Sequence, residues 1–375
     1  LPVRIHAHFS VLFLFLSGCL EPYQPAATSE DNHYLVVDAF ANVNGDSIAV
    51  TLSRTIPISS LAAAPRESGA RVTLEDHTGN AIDIPDRGNG RYTQGNLGLS
   101  FSSSYRLRIT TQEGSNYLSD EVQFKSTPPI DSLSWAVEAQ GVQIMVSSHD
   151  PTNSSRYYKY SYVETWQYES YFDSEWQIVN GKVVFRPSNA QIHLCWHTLP
   201  STSLLTTSTA ALSEDVVRSF AVVNIPQRSQ KILQMYSVLI NQLSIGKQEF
   251  DYWQQLQKNT QNLNGIFDAQ PNRLTGNVRN MNDSEEPVFG FFGGGEITQK
   301  RIFIKWNELP SSVLYPQFAP DCPTQSFNFA TATAYLSGGG YEIVDVKGQG
   351  YILASSLCSD CRIQGGSTTK PGYWP

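Results

Sequence analysis

Short apolar runs broken by turn residues set the rhythm of this chain. Residues 34–41, 47–53, 70–76, 104–111 and 121–125 are short, largely apolar runs that suit strands. Asn44-Gly45-Asp46 between the first two runs is a hairpin signal, and Gly79-Asn80 and Gly88-Asn89-Gly90 mark further turns. Several strands in under about a hundred residues, with no helical periodicity, predict an immunoglobulin-like sandwich over residues 34–126. Thr127-Pro128-Pro129 closes it, because prolines interrupt strand pairing and stiffen a connection.

A larger β-rich domain is predicted over residues 127–375. Runs at 133–137 and 142–147 alternate, and His149-Asp150-Pro151 turns the chain. The segment 156–168 is the most regular in the protein. Tyr158, Tyr160, Tyr162, Trp166 and Tyr168 share one parity, and Lys159, Ser161, Thr165 and Gln167 share the other. On a strand this stacks the rings on one face. Such a face fills a sandwich core or, if exposed, stacks on sugars or peptide side chains. If any part of this region recognises a partner, this ring face is the candidate. Further strands are predicted at 219–225, 236–245, 287–290 and 301–306. One helix stands out at 247–259, where Phe250, Trp253 and Leu256 recur at helical spacing and Lys247 can pair with Asp251. Asn264-Gly265 stops it. Gly293-Gly294-Gly295 and Gly338-Gly339-Gly340 read as flexible loops, and from Leu309 the chain turns Pro- and Gly-rich.

The amino-terminal end has a different pattern. An apolar run from Phe9 to Leu16 follows Arg4 and ends in Leu16-Ser17-Gly18-Cys19. Basic start, short apolar centre and small residues at the cut are the layout of a secretory signal, and Leu-Ser-Gly-Cys is a bacterial lipobox. We expect cleavage before Cys19 and acylation of that residue. Residues 1–18 are then the signal peptide and 19–33, with two prolines and no periodicity, a lipidated tether. Several acyl chains hold a protein to a membrane where a single one does not. The expected location is therefore a membrane, lipid-anchored, with the protein facing an extracytoplasmic compartment.

Composition agrees with export. Removing 18 of 375 residues leaves 357, and the formal charge moves from -8 to about -9 as Arg4 departs. An acidic chain without basic runs is a poor nucleic-acid binder, and no nucleic-acid partner is expected. Beyond Cys19 there are four cysteines, Cys195, Cys322, Cys358 and Cys361, which in an oxidising compartment read as two disulfides. Joining Cys195 to the distal pair closes a loop of about 160 residues, worth nearly 5 kcal/mol against about 2 for a Cys358–Cys361 ring. We therefore expect Cys195 and Cys322 each to bond one member of the Cys358/Cys361 pair, stapling the C-terminal segment back onto the second domain.

Motifs for chemistry are thin. Cys358-Ser359-Asp360-Cys361 has thioredoxin spacing, but Arg362-Ile363-Gln364-Gly365-Gly366 cannot sustain the helix that redox activation needs. His193, Cys195 and His197 alternate and would share a strand face, yet an oxidised Cys195 offers no thiolate to a metal. The glycine runs lack the Lys-Ser/Thr of a phosphate loop. We predict neither a catalytic residue, a metal nor a cofactor, and a non-enzymatic role.

Gln248-Glu249-Phe250-Asp251-Tyr252-Trp253-Gln254-Gln255-Leu256-Gln257-Lys258-Asn259-Thr260, followed by Gly265-Ile266-Phe267-Asp268-Ala269-Gln270-Pro271, is similar to the central signature of the "domain of unknown function 4249" family. Glu286-Pro287-Val288-Phe289-Gly290, Lys300-Arg301-Ile302-Phe303-Ile304 and the ending Cys358-Ser359-Asp360-Cys361-Arg362 with Gly365-Gly366 and Lys370-Pro371 resemble it too. The resemblance implies a Bacteroidota outer-membrane lipoprotein, of a kind often encoded beside TonB-dependent transporters. It implies an accessory binding module that works with such a transporter in nutrient uptake. An extracytoplasmic hydrolase acting on the imported nutrient, or a structural or adhesive surface lipoprotein, are the rival expectations.

Overall fold

The structure is a computed structural model that describes residues 33–57, 60–261, 274, 276–314 and 321–375. Cys19, the signal, most of the tether and the Gly265–Pro271 part of the family signature lie outside the described residues. The expected mainly-β fold is what the structure has: a sandwich, then a larger β-rich region with a helix and a stapled C-terminal segment.

In the first sandwich one sheet runs in the order Phe289–Gly295, Leu35–Asn42, Ser47–Arg54, Arg91–Gly95. Its partner runs Val278–Asn280, Asn116–Ser119, Ser104–Thr110, Arg71–Asp76, Ala81–Ile84, with the short Val122–Gln123 also on Ser104–Thr110. Alternation does the work here: Val37, Ala39, Val50 and Leu52 point inward from one sheet and meet Val72, Leu74, Leu107 and Ile109 from the other. The hairpin between Leu35–Asn42 and Ser47–Arg54 turns at Asp46, which adopts a left-handed backbone. Residues 34–126 do not close this sandwich by themselves. Phe289–Gly295 returns from far along the chain and lies parallel to Leu35–Asn42, and Val278–Asn280 adds to Asn116–Ser119. The first sandwich is discontinuous in sequence.

The Gly293-Gly294-Gly295 stretch, expected as a flexible loop, is the end of that returning strand and is buried. A Cβ on Gly294 would lie 2.2 Å from the Phe124 ring, and one on Gly293 2.8 Å from Glu249 Oε2. Glycine is required because neighbours pack directly on the backbone.

The second sandwich sets a three-stranded sheet, Asp215–Pro226, Gly141–Asp150, Ile130–Glu138, against a five-stranded one. The larger sheet runs Leu194–Pro200, Tyr157–Glu169, Met235–Ser244, Ile297–Lys305, and Leu205–Ser208 also pairs with Tyr157–Glu169. Val142, Ile144, Val146, Val223 and Ile225 pack on Tyr158, Tyr160, Tyr236, Val238 and Ile240. Helix α1, Lys247–Gln261, sits at the joint between the sandwiches, where Phe250 and Trp253 gather with Leu243, Ile245, Tyr157, Phe40 and Ile297. Its predicted Lys247–Asp251 pair is present at 2.5 Å.

Where the sequence predicts only a Pro- and Gly-rich C-terminal segment, a third small unit forms. Strands Thr324–Asn328, Gly350–Ser355 and Tyr341–Lys347 carry helix α2, Phe329–Ser337. The hairpin Trp176–Val179/Lys182–Phe185 packs on them through Trp176 and Val183. Among the described residues its fully buried apolar core is small: Ala332, Ile343, Leu353 and Ala354. A core that small needs staples.

Candidate functional site

The ring face of Tyr157–Glu169 is largely core, and the expectation of a binding face there is corrected. Tyr158 and Tyr160 are 0% and 1% exposed between the two sheets of the second sandwich. The Tyr158 hydroxyl donates to the buried Asp215 carboxylate, and that of Tyr160 to Gln242 Oε1 at 3.1 Å. Desolvation raises both phenol pKa values, with the Asp215 hydrogen bond adding to the effect at Tyr158, so both act as neutral donors. Tyr168 is buried and donates to the Cys361 carbonyl at 2.5 Å. Tyr162 and Trp166 are half-buried, and Trp166 stacks on His197 with centroids 4.5 Å apart. The row's non-aromatic member, Glu164, is buried too. It accepts from Tyr236 at 2.8 Å and from Lys231 Nζ at 2.7 Å, a paired charge inside the fold.

The opposite face of the same strand is covered at both ends. Lys159 lies 3.6 Å from the Glu249 carboxylate and over the Trp253 ring of α1. Farther along, Thr165 shares a 2.8 Å hydrogen bond with the Tyr373 hydroxyl, and Gln167 accepts from Trp374 Nε1 at 3.0 Å. The final residues of the chain thus pack on the outer sheet surface, where Trp374 also meets Phe303 edge-on.

The cysteines pair across the molecule. Cys195 bonds Cys361 and Cys322 bonds Cys358, with Cα separations of 5.8 and 5.9 Å. The first bond ties strand Leu194–Pro200 to the C-terminal segment, and the second closes the third unit at its base. Cys358 and Cys361 therefore belong to different disulfides, and Cys195 has no thiolate for a metal. His193 and His197 do not converge: His193 Nδ1 is 3.0 Å from Ser170 Oγ, whereas His197 stacks on Trp166.

Residues of the sequence signature converge on the joint instead. The Tyr252 hydroxyl accepts from the Gly290 amide at 2.8 Å, and its ring tilts against Phe291. The buried Glu249 accepts from Trp253 Nε1 at 3.0 Å and lies against Gly293. Glu286 accepts from Tyr117 at 2.8 Å and from Asn280 at 2.5 Å, holding the returning segment to the first sandwich. These residues carry architecture: they fix α1 and the returning strand on the first sandwich.

Exposed rings lie elsewhere, on the third unit. Phe329 and Tyr335 of α2 are 45% and 46% exposed. Phe329 leans on Tyr351 at 4.5 Å, Tyr335 on Phe327 at 4.4 Å and edge-on to Tyr341 at 5.9 Å. Phe185, on the hairpin packed beside them, is also exposed. The sequence signal for these rings is the run Phe327-Asn328-Phe329 with Tyr335, Tyr341 and Tyr351, set in a Pro- and Gly-rich segment where strand patterns are short.

The chain belongs to the family described as Domain of unknown function (DUF4249), whose match covers residues 20–301. That span takes in both sandwiches and the joint, and it ends within the strand Ile297–Lys305, ahead of the third unit. No curated protein matches the chain.

Proposed function

We propose that this protein is a lipid-anchored outer-membrane accessory that binds rather than transforms, working with a TonB-dependent transporter to capture or hand over a nutrient. Anchoring is assigned to Cys19, with residues 20–33 as the tether. The observation that carries the reading is the third unit, whose Phe329 and Tyr335 rings stay exposed although they are grouped and cross-braced. Grouped exposed rings on a monomer favour a partner surface, since aromatic side chains provide large contact area at low entropic cost. The staples hold that surface in shape before a partner arrives.

Affinity capture of the tagged protein from solubilised membranes of its native host tests this. Recovery of a large β-barrel transporter is expected, together with its loss in the double variant Phe329→Ser/Tyr335→Ser. Recovery of the lipoprotein alone would refute the transporter role. Cys19→Ala is expected to leave an unprocessed precursor or to release the protein from the membrane fraction. A mature-sized product still held at the membrane would rule out the anchor.

A further inference from the structure

The outer face of the first sandwich's four-stranded sheet carries a shallow groove of about 510 Å³. Strand register explains its shape. Phe40 lies opposite Ala49 and Ala49 opposite Thr93; in the next row Asn42 lies opposite Ser47 and Ser47 opposite Gly95. Alanine, serine and glycine leave a depression between the Phe40 ring and the outer strand, and Ile297 from the second sandwich also lines it.

Arg87 and Arg91, both exposed, line the same groove, and no aspartate or glutamate does. In a chain of net charge -8 this is a local reversal of sign. Among the described residues neither arginine makes an ion pair; the Arg87 guanidinium donates to the Thr93 carbonyl at 3.3 Å. The adjacent Asp86 is taken by the amides of Gly69 and Gly88, both at 2.6 Å.

We infer that this groove binds a carboxylate-bearing saccharide. Guanidinium groups match a carboxylate's two oxygens. Phe40 and Ile297 offer apolar surface to the C–H face of a sugar ring, while Ser47 and Thr93 supply side-chain hydroxyls for its own. An acidic peptide fits less well. The groove lies on a sheet face whose inner strands are already paired, and its edge strand Arg91–Gly95 is covered by residues 85–88, where the Arg87 amide donates to the Arg91 carbonyl at 2.7 Å and the Thr93 amide to the Pro85 carbonyl at 3.3 Å; extended peptides gain their main-chain hydrogen bonds at an open sheet edge. The groove and the aromatic third unit are separate, so this inference and the transporter role can fail independently.

Titration calorimetry of the detergent-solubilised full chain at low salt provides the test, with a short oligogalacturonide and its fully methyl-esterified form as probes. Saturable binding of the acid is expected, weakened by added salt and absent for the ester. The double variant Arg87→Ala/Arg91→Ala should bind at least about tenfold more weakly with an unchanged melting temperature, since both side chains are exposed. Thr93→Trp, which fills the groove and leaves both arginines in place, should weaken binding as well. No saturable binding, equal affinity for the ester, or unchanged affinity in the double variant would each overturn the inference. Tighter binding of oligoglutamate than of the sugar acid would overturn the saccharide assignment.

Discussion

At the scale of single residues, burial decides what a side chain in this protein can do. Tyr160 is enclosed and hydrogen-bonded, so Tyr160→Ala should cost about 3–5 kcal/mol by removing an aromatic ring from the core. Tyr160→Phe keeps the ring and should cost only about 1 kcal/mol, and chemical denaturation of both variants checks the pair. The parity of the ring row was legible in the sequence, but its destination was not. A period of two is the same whether a strand face meets another sheet or a ligand, and only the opposing sheet, far away in sequence, tells them apart. Asp150 was legible merely as part of a turn. In the fold its buried carboxylate accepts from the amides of Thr152, Ser154 and Ser155 and from the hydroxyls of Thr152 and Ser154. Burial pushes its pKa up, yet these donors outweigh it and hold the group well below the usual carboxylate range. A depressed folded-state value contributes stability that is present above the unfolded value, near about 3.9, and is lost as pH falls through the folded one. Asp150→Ala should therefore lose about 1–3 kcal/mol at neutral pH, and the gap between variant and parent should narrow in strong acid, measured by urea unfolding at several pH values.

At the scale of elements, the returning strand Phe289–Gly295 teaches most. Glycine-rich segments read as loops because glycine is costly to order, but a strand packed tightly on both faces needs residues without side chains. Here Phe124 occupies the space beside Gly294, Glu249 the space beside Gly293, and the Val37 backbone the space beside Gly290. Gly294→Ala should destabilise by about 1–3 kcal/mol through overpacking against Phe124. Gly372→Ala, with nothing within 4 Å of the new methyl, should stay within about 0.5 kcal/mol. Thermal unfolding of the two variants separates close packing from mere flexibility; equal effects would mean that the glycines are not packing residues. By contrast, α1 was legible from spacing alone, because its apolar residues repeat along one continuous segment. Its environment was not, since Tyr252 and Glu249 find their partners on the returning strand about forty residues later.

At the scale of the whole molecule, the chain is assembled by long-range closures, and the disulfides are the ones that covalent chemistry can open. Composition and loop length pointed to a distal pair each bonded elsewhere, but not to the small folded unit that one bond encloses. Strand signals there are short and the shared core is contributed partly by the distant hairpin Trp176–Val179/Lys182–Phe185. The two bonds differ in role. Cys322–Cys358 closes a sequence separation of 36, worth about 4 kcal/mol of loop entropy, around a unit with a small apolar core. Cys195–Cys361 closes 166 and is worth about 5 kcal/mol, but it is anchored on a strand that already belongs to a well-filled sandwich. Reduction removes both constraints, and its effect should follow the size of the core each one supports. The third unit is predicted to open locally while both sandwiches persist. Hydrogen exchange after reduction and alkylation should show lost protection across 324–355 and in the hairpin, with protection retained in Leu35–Asn42 and Met235–Ser244. The double variant Cys322→Ser/Cys358→Ser should reproduce the local loss, because it removes only the staple around the small unit. If the sandwiches lose protection in that variant as well, the third unit is not an appendage but part of one cooperative core.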